Sequence, residues 1–256
     1  MEGAALQARL DFATEAIWRA GRLTLGYFQT GVAVERKRDR TPVTIADKEA
    51  EQHLRGLIAR SFPDDGIIGE EFGEQPSRTG LTWIIDPIDG TKSFISGVPI
   101  YGCLLGMSDG TQPLVGAAYY PALDEMLTAA HGMGCWWNGR RARVSAVDAL
   151  ADAVLLSSEY KQTFGDRLEA FHRLVDATWI QRTWGDSYGY LLVATGRAEI
   201  MIDPAMQVWD CAPFQVILEE AGGTFTDWNG TPTIYAGESV ATNGKLFNAV
   251  MELIKP

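Results

Sequence analysis

The segment WIIDPIDGTKSF, residues 83–94, decides how this chain folds, because an apolar run leads directly into two carboxylates. The run at 81–85 is typical of a buried strand. Pro87 restricts the backbone between Asp86 and Asp89. Taken alone, Asp-Pro followed by a glycine is typical of a β-turn. The competing interpretation is a strand end that presents paired carboxylates to a ligand.

Further acidic residues lie at the ends of other predicted elements. Glu70 and Glu71 follow the short apolar run at 66–69, Asp47 lies near the start of a helical pattern, and Asp210 opens another. Each has a purely structural explanation: a capping box for Asp47, a favourable helix start for Asp210, and surface exposure for the glutamates. Layered α/β folds bring element ends together in one crevice, so we expect these groups to converge.

Convergent carboxylates repel one another unless a cation holds them. All-oxygen ligands select hard cations, and Mg²⁺ prefers a few carboxylates, water and a phosphate. Two such ions roughly 3.5–4 Å apart can clamp the attacking and leaving oxygens of a phosphoryl group. Gly90 allows close backbone approach to phosphate, and the Thr91 hydroxyl is suited to orienting a water. The segment therefore predicts metal-assisted phosphoryl transfer.

Hydrophobic periodicity predicts interleaved helices and strands, and Asn138-Gly139 is a hairpin signal. The helical patterns cover 4–28, 44 to about 61, 166–175, 187–196, 210–223 and the chain from about 245. The strand patterns cover 66–69, 81–85, 100–107, 114–120, 125–130, 153–157, 178–184 and 198–203. This mixture predicts a layered α/β protein rather than a regular βαβ series.

Composition excludes several classes of protein. The net charge of −11 disfavours nucleic acid and anionic membranes as partners, and no apolar run is long enough to span a bilayer. The first residues lack a signal-peptide pattern. Cys103, Cys135 and Cys211 form no C-x-x-C motif and are predicted to be reduced thiols, so we expect a cytoplasmic protein. The basic run ERKRDR at 35–40 is either a solvated turn or a cation that reaches an anion.

Residues 184–189, WGDSYG, contain a G-x-S-x-G match, which in many hydrolases carries a serine nucleophile. The α/β-hydrolase triad needs a histidine after the serine, but every histidine of this chain precedes Ser187. A serine hydrolase therefore requires a triad in another order. A non-catalytic acidic binding domain is the third alternative, and the intact Asp-Gly-Thr of residues 89–91 argues against it.

Three segments together resemble the Mg²⁺-dependent, lithium-sensitive phosphatases of the inositol monophosphatase family. They are GEE at 69–71, WIIDPIDGT at 83–91 and WDCAPFQVILEEAGG at 209–223. The resemblance extends from Lys37 to Gly223. It implies an α/β fold, specifically the five-layer αβαβα sandwich of the inositol monophosphatase and fructose-1,6-bisphosphatase type. It further implies a single domain over 1–256, with closely packed halves of about 1–150 and 151–256, and a homodimer.

The resemblance also assigns the site, and it implies two or three Mg²⁺ ions. The implied metal ligands are Glu70, Asp86, the carbonyl oxygen of Ile88, Asp89 and Asp210. Gly90 and Thr91 are expected to contact the phosphate. Thr91, supported by Asp47 and near Glu70, is expected to activate the attacking water. Lys37 lies near a basic position of the family that approaches the site.

The segments DPIDGTKSF, RTPVT and RTWGDSYGYLLVATGRAE are most similar to the histidinol-phosphate phosphatase branch of this family. Ser93 stands where the family often has asparagine, and Cys211-Ala212-Pro213 replaces the usual small residues. The expected substrate is histidinol phosphate, whose ammonium and imidazole suit acidic partners. The expected substrate-binding residues are Asp89, Gly90, Thr91, Arg182, Asp186, Asp203 and Asp210, with Arg182 paired to Asp186. An inositol, sugar or nucleotide monophosphate is the alternative, because carboxylates also accept hydrogen bonds from hydroxyls.

Overall fold

The computed structural model describes residues 3–159 and 164–255. Its helices are α1 (Gly3–Leu25), α2 (Ile45–Ser61), α3 (Thr91–Ile95), α4 (Leu168–Ala177), α5 (Ser187–Ala194), α6 (Val208–Cys211), α7 (Phe214–Ala221) and α8 (Phe247–Ile254). The strands of the first half of the chain are β1 (Val34–Arg36), β2 (Pro42–Thr44), β3 (Gly66–Gly69), β4 (Gly73–Gln75), β5 (Thr82–Asp89), β6 (Gly102–Ser108), β7 (Pro113–Tyr120), β8 (Glu125–Ala130), β9 (Gly134–Trp137) and β10 (Arg140–Arg141). The remaining strands are β11 (Val154–Ser157), β12 (Ile180–Arg182), β13 (Ile200–Asp203), β14 (Thr224–Thr226) and β15 (Ser239–Thr242).

The strands form two large sheets and one small hairpin. The first sheet has eight strands in the order β10-β9-β8-β7-β6-β5-β3-β4 and is antiparallel except for the parallel pair β3–β5. The second sheet has five strands in the order β12-β11-β13-β15-β14. Among the described strands, β1 and β2 pair with each other and with no third strand.

Side chains of the first sheet alternate between two apolar layers, as a strand period of two requires. Trp83 and Ile85 of β5 pack against α1 and α2, whereas Ile84 faces the opposite side. On that side the sheet meets α5 and α7, which supply residues such as Leu191 and Phe214. Strand β5 is therefore buried on both faces, which explains why its sequence is a continuous apolar run.

The second sheet shows the same alternation and completes the layers. Met201 of β13 faces α5 and α7, and its neighbours Ile200 and Ile202 face the outer helices α4 and α8. The order of layers is α1/α2, first sheet, α5/α7, second sheet, α4/α8. The predicted five-layer αβαβα sandwich is thereby confirmed.

Local differences from the predicted elements have physical causes. The predicted helix at 210–223 is divided into α6 and α7 at Pro213, which has no N–H to continue the first helix. The sequence predicts either a solvated turn or a cation that reaches an anion at residues 35–40. These residues are mostly exposed and belong to the hairpin β1–β2. The hairpin predicted at Asn138-Gly139 is confirmed, with φ values of 46° and 75°.

No helix in the described ranges has the length and apolar character to cross a membrane. The three cysteines are free and buried. Burial raises the pKa of Cys103 and Cys135 to about 12, so these thiols remain protonated near neutral pH. The prediction of reduced cysteines is therefore confirmed.

Candidate active site

A bulge in β5 brings the two carboxylates of the opening segment onto one face. Asp86 pairs with Leu104 of β6, and Asp89 pairs with Gly102, so three steps along β5 match two steps along β6. In a regular strand, residues three apart face opposite sides. The extra residue at Pro87-Ile88 corrects this parity, so both carboxylates face the middle helical layer.

Asp210 joins these two carboxylates from the other side of the cleft. Carboxylate oxygens of Asp86, Asp89 and Asp210 all lie within 4.8 Å of one another. Asp210 also caps α6, because its Oδ2 accepts the N–H of Gln207 at 2.7 Å. Asp210 therefore occupies the favourable helix start predicted for it and also converges on the predicted site.

The electrostatics of this carboxylate triad, defined as Asp86, Asp89 and Asp210, call for a cation. Burial raises the pKa of Asp86, and the charges of Glu70, Asp89 and Asp210 raise it further. Burial, followed by the charges of Asp186 and Asp210, does the same for Asp89. The pKa of Asp210 is raised to about 6, again chiefly by burial. Within residues 3–159 and 164–255 no lysine or arginine forms an ion pair with the triad, and its hard carboxylate oxygens fit a divalent ion such as Mg²⁺.

Glu70 lies beside the triad but is paired with a lysine. Lys37 Nζ donates to Glu70 Oε1 at 2.7 Å and to Glu71 Oε1 at 2.6 Å. Burial alone would lower the pKa of Lys37, but these two hydrogen bonds raise it. The basic run at 35–40 thus sends one cation to two carboxylates, which agrees with the second interpretation of that run. Glu70 lines the same cavity as Asp89 and Asp210.

Gly90 and Thr91 follow the bulge and begin α3. Gly90 has φ +74°, and a Cβ there would lie 2.8 Å from Oδ2 of Asp186, so only glycine fits. Thr91 Oγ1 donates to the carbonyl oxygen of Ile88 at 3.1 Å. The expected contact between Thr91 and Asp47 does not occur within the described residues.

Asp47 forms the capping box of α2 through one of its two carboxylate oxygens. Its Oδ2 accepts the N–H and the hydroxyl of Thr44 at 2.8 and 2.7 Å. Its Oδ1 is buried and has no hydrogen-bond partner among residues 3–159 and 164–255. Burial raises the pKa of Asp47, and the charge of Glu70 adds to the effect.

The turn before α5 forms the facing wall of the cleft. The N–H of Ser187 donates to Asp89 Oδ2 at 2.6 Å, so the helix start supports the triad. Asp186 has φ +47° and ψ −156°, a backbone region that normally requires glycine. Ser93, the departure noted in the opening segment, donates to Asp186 Oδ2 at 3.3 Å. Burial raises the pKa of Asp186.

Asp203 lies deeper in the same wall and is held by three residues. Its Oδ2 accepts the hydroxyl of Tyr190 at 2.7 Å, and its Oδ1 accepts the N–H of Ser158 at 3.0 Å. Tyr190 in turn lies 2.5 Å from the Ser239 hydroxyl. Burial raises the pKa of Asp203 to about 7.

These groups share one cleft of about 560 Å³. Its lining includes Lys37, Asp39, Thr41, Glu70, Asp89, Lys92, Ser158, Glu159, Asp186, Ser187, Tyr190, Asp203, Pro204, Ala205, Met206, Gln207, Trp209 and Asp210. A recess of about 150 Å³ adjoins it and adds Pro42, Asp86, Ile88, Gly90 and Thr91. The structure thus brings the expected metal ligands, phosphate contacts and acidic selectors together.

One expectation about residues 182–187 fails, and the serine-hydrolase alternative gains no support. Arg182 is exposed, donates to the carbonyl oxygen of Gln181 at 2.8 Å and lies over the ring of Trp184. It forms no ion pair with Asp186 in the described parts of the chain, because β12 directs it away from the cleft lining. Ser187 has no histidine at hydrogen-bond distance there either, so the G-x-S-x-G match lacks a base.

Sequence reasoning missed an ion pair at the mouth of the cleft. Lys92 Nζ lies 2.8 Å from Glu159 Oε1, which joins the start of α3 to the end of β11. Lys92 directly follows the Asp-Gly-Thr motif, so its position was a usable signal. Glu159 gave none, because its approach depends on how the two sheets pack.

A cleft between two sheets that gathers a carboxylate triad beside a glycine–threonine helix start defines a metal-dependent enzyme of phosphoryl transfer. The chain belongs to the inositol monophosphatase family, whose profile matches residues 5–255. It is a metal-dependent phosphomonoester hydrolase.

Individual relatives agree with this assignment. The chain is 43% identical over 236 residues to the histidinol-phosphatase of Chlorobaculum parvum, with 91% of each chain covered. It is 37% identical over 240 residues to the histidinol-phosphatase of Mycobacterium tuberculosis, covering 91% of this chain and 92% of the relative. The crystal structure of the extragenic suppressor protein suhB from Bartonella henselae superimposes with a TM-score of 0.90 at 27% identity, covering 97% and 98% of the two chains.

Proposed function

We propose that this enzyme releases phosphate from histidinol phosphate. The observation that carries the proposal is a pair of carboxylates, the half-buried Asp186 and the buried Asp203, on the cleft wall facing the bulge of β5. A leaving group with an ammonium and an imidazole would offer one carboxylate a positive charge and the other an N–H donor. The histidinol-phosphatases among the relatives support the same substrate.

The ligands proposed for two or three Mg²⁺ ions are Glu70, Asp86, the Ile88 carbonyl, Asp89 and Asp210. When bound, the ions would neutralise phosphate charge and increase the acidity of the attacking water. Glu70 can serve only if it gives up part of its bond with Lys37 Nζ. The freed ammonium of Lys37 would then face the cleft and could pair with a phosphate oxygen.

Protein groups would orient the nucleophile and the phosphate. The backbone at Gly90 and Thr91 approaches the recess without a side chain at Gly90 and would receive phosphate oxygens. The Thr91 hydroxyl would accept a hydrogen bond from the attacking water. To take up the water's proton, Thr91 would have to turn its own O–H from the Ile88 carbonyl to Asp47 Oδ1, which it does not contact in this structure. Asp47 and Glu70 are the two carboxylates proposed to accept the proton that the water releases.

Selectivity would come from the other end of the cleft. The carboxylate of Asp186 is proposed to bind the substrate's ammonium. The hydroxyl of Ser93 donates to Oδ2 of the same carboxylate. Asp203 is proposed to receive the imidazole N–H, with Tyr190 and Ser158 fixing its direction. Arg182 does not line the cleft, so it is not proposed to contact the substrate.

The test is phosphate release from histidinol phosphate and inositol 1-phosphate, side by side, with Mg²⁺ or with a chelator. We expect turnover only with Mg²⁺ and a clear preference for histidinol phosphate. Asp89→Asn removes one triad charge and should abolish most turnover while the protein stays folded. An Asp89→Asn variant with full activity would refute the metal site.

Two controls separate the alternatives. Ser187→Ala should retain metal-dependent turnover, because the backbone N–H of Ser187, not its hydroxyl, contacts Asp89. Inactivation by a fluorophosphonate would instead support a serine hydrolase. Equal, slow rates on both phosphate esters would point to another sugar or nucleotide monophosphate.

We further propose that the protein is a cytoplasmic homodimer that acts on a small metabolite. Exposed tryptophans around β12 support the dimer, since closed two-fold dimers are the commonest oligomers of soluble proteins.

A further inference from the structure

Helix α2 carries three charged residues on one face, of which Asp47 and Glu51 are buried and Arg55 is half-buried. Asp47, Glu51 and Arg55 follow at intervals of four residues, so they align along the helix. The neighbouring apolar stripe, with Leu54 and Ile58, already packs against the first sheet. The Glu51 side chain is 0% exposed, a costly place for a carboxylate unless it is fully bonded.

The bonds of Glu51 lead to the turn that carries Glu70. Its Oε2 accepts the N–H of Glu71 at 2.6 Å, and its Oε1 accepts the N–H of Phe72 at 3.2 Å. Arg55 Nε donates to the same Oε1 at 2.7 Å. The guanidinium of Arg55 also donates to the carbonyl oxygen of Gly73. Two side chains of α2 therefore hold three consecutive residues that follow Glu70.

Gly69 shows how closely this support approaches the turn from its other side. A Cβ at Gly69 would lie 2.1 Å from Glu51 Oε1, so only glycine admits the carboxylate. The turn between β3 and β4 is thus fixed immediately before and immediately after Glu70. The side chain of Glu70 lines the cleft from this fixed turn.

We infer that Glu51 and Arg55, together the α2 brace, position Glu70 as a cation ligand. The inference rests on the proposed role of Glu70. The brace residues do not line the cleft, and so they are positioning residues. Groups that hold a metal ligand in place commonly account for 10–100-fold in metal affinity, and we expect a loss in this range without the brace.

The test is calorimetric titration of Mg²⁺ into the metal-free protein, with melting temperature measured in parallel. Glu51→Gln keeps the shape but turns an N–H donor toward Phe72 or Arg55, and should weaken Mg²⁺ binding at least tenfold. Asp65→Asn is the matched control. It breaks a comparably buried pair, Arg9 with Asp65 at 2% exposure, at the opposite end of β3. It should lower the melting temperature yet change Mg²⁺ affinity less than twofold.

Glu51→Asp is a second variant, for use if Glu51→Gln does not fold. It keeps the negative charge but moves it away from the turn, and it should also weaken Mg²⁺ binding. Mg²⁺ affinity within twofold of wild type in the folded variants would overturn the inference, as would an equal loss in Asp65→Asn. Glu70→Gln separates the two levels of the argument. If it binds Mg²⁺ normally, the proposed ligand is wrong. If it binds weakly while Glu51 variants bind normally, only the brace is wrong.

Discussion

At the scale of single residues, Asp186 shows a conflict between stability and selectivity. Its φ of +47° and ψ of −156° belong to a region that glycine occupies freely. Its half-buried carboxylate also lies near the carboxylates of Asp89 and Glu159, and both the backbone strain and this repulsion cost free energy. Such strain persists at sites where function requires a particular side chain.

Asp186→Gly should therefore stabilise the metal-free protein by about 1–3 kcal/mol, the usual cost of a strained backbone position. It should also reduce the ratio of kcat/KM for histidinol phosphate over inositol 1-phosphate, because the cationic leaving group loses its partner. Chemical denaturation and steady-state kinetics measure the two effects.

Asp186→Ala is the control for that prediction, since it removes the carboxylate but keeps the strained backbone. It should lose selectivity as Asp186→Gly does, with a smaller gain in stability. Equal stability of the two variants would show that the backbone at Asp186 is not strained.

Individual site residues could be predicted where an acidic side chain lay at a recognisable start or end of a helix or strand. Asp86 and Asp89 were identifiable because they follow an apolar run, and Asp210 because it opens a helix. The acidic groups on the facing wall, Asp186 and Asp203, were found only as candidates. Arg182 was misplaced, because a charge at a strand end does not reveal which face it occupies.

At the scale of elements, long periodic segments were predictable and short ones were not. Helices α1 and α2 follow from apolar spacing. Strands β4 and β14 have three residues each and show no periodicity of their own. They exist because distant partners pair with them, as Thr224 does with Thr242. The bulge in β5 was likewise foreseeable only as a proline bend, since its register depends on β6.

Strand β12 is the element that we expect to form the dimer interface. It lies at the edge of the second sheet and pairs only with β11 among the described strands. Trp179 and Trp184 flank it with 67% and 48% exposure. Unpaired strand edges with exposed aromatic side chains favour association.

Trp179→Glu should therefore shift the protein from dimer to monomer, as measured by light scattering after size-exclusion chromatography at micromolar concentration. Trp18→Glu is the control, because Trp18 is 49% exposed on the outer helix α1. A monomeric wild-type protein, or dissociation by Trp18→Glu alone, would contradict the proposed interface.

At the scale of the whole molecule, the cation site joins the two sheets. The triad takes Asp86 and Asp89 from β5 of the first sheet and Asp210 from the helix that follows β13 of the second. Without a cation, three like charges push the layers apart. The site should therefore destabilise the metal-free fold and stabilise the loaded one.

The pH dependence of the metal-free protein follows from Asp210. Its pKa of about 6 in the folded state exceeds the unfolded value of about 3.9. Between these values the folded state binds more protons, so stability falls as pH rises from about 4 to about 6 and stays low above that. Protonation at low pH restores it.

Asp210→Asn should be more stable than wild type without metal and should lose that advantage when Mg²⁺ is saturating. In chelator at pH 8 it removes a charge worth roughly 2–3 kcal/mol of destabilisation, since one pKa unit corresponds to ~1.4 kcal/mol. It should then unfold at higher denaturant than wild type, with the difference vanishing near pH 4. With saturating Mg²⁺ the wild type gains about 2.7 kcal/mol at 100 times its Kd, and the variant gains little. If the variant is less stable than wild type in chelator at pH 8, then the triad is held together by bonds stronger than its repulsion. In that case the fold does not need the cation to offset repulsion within the triad.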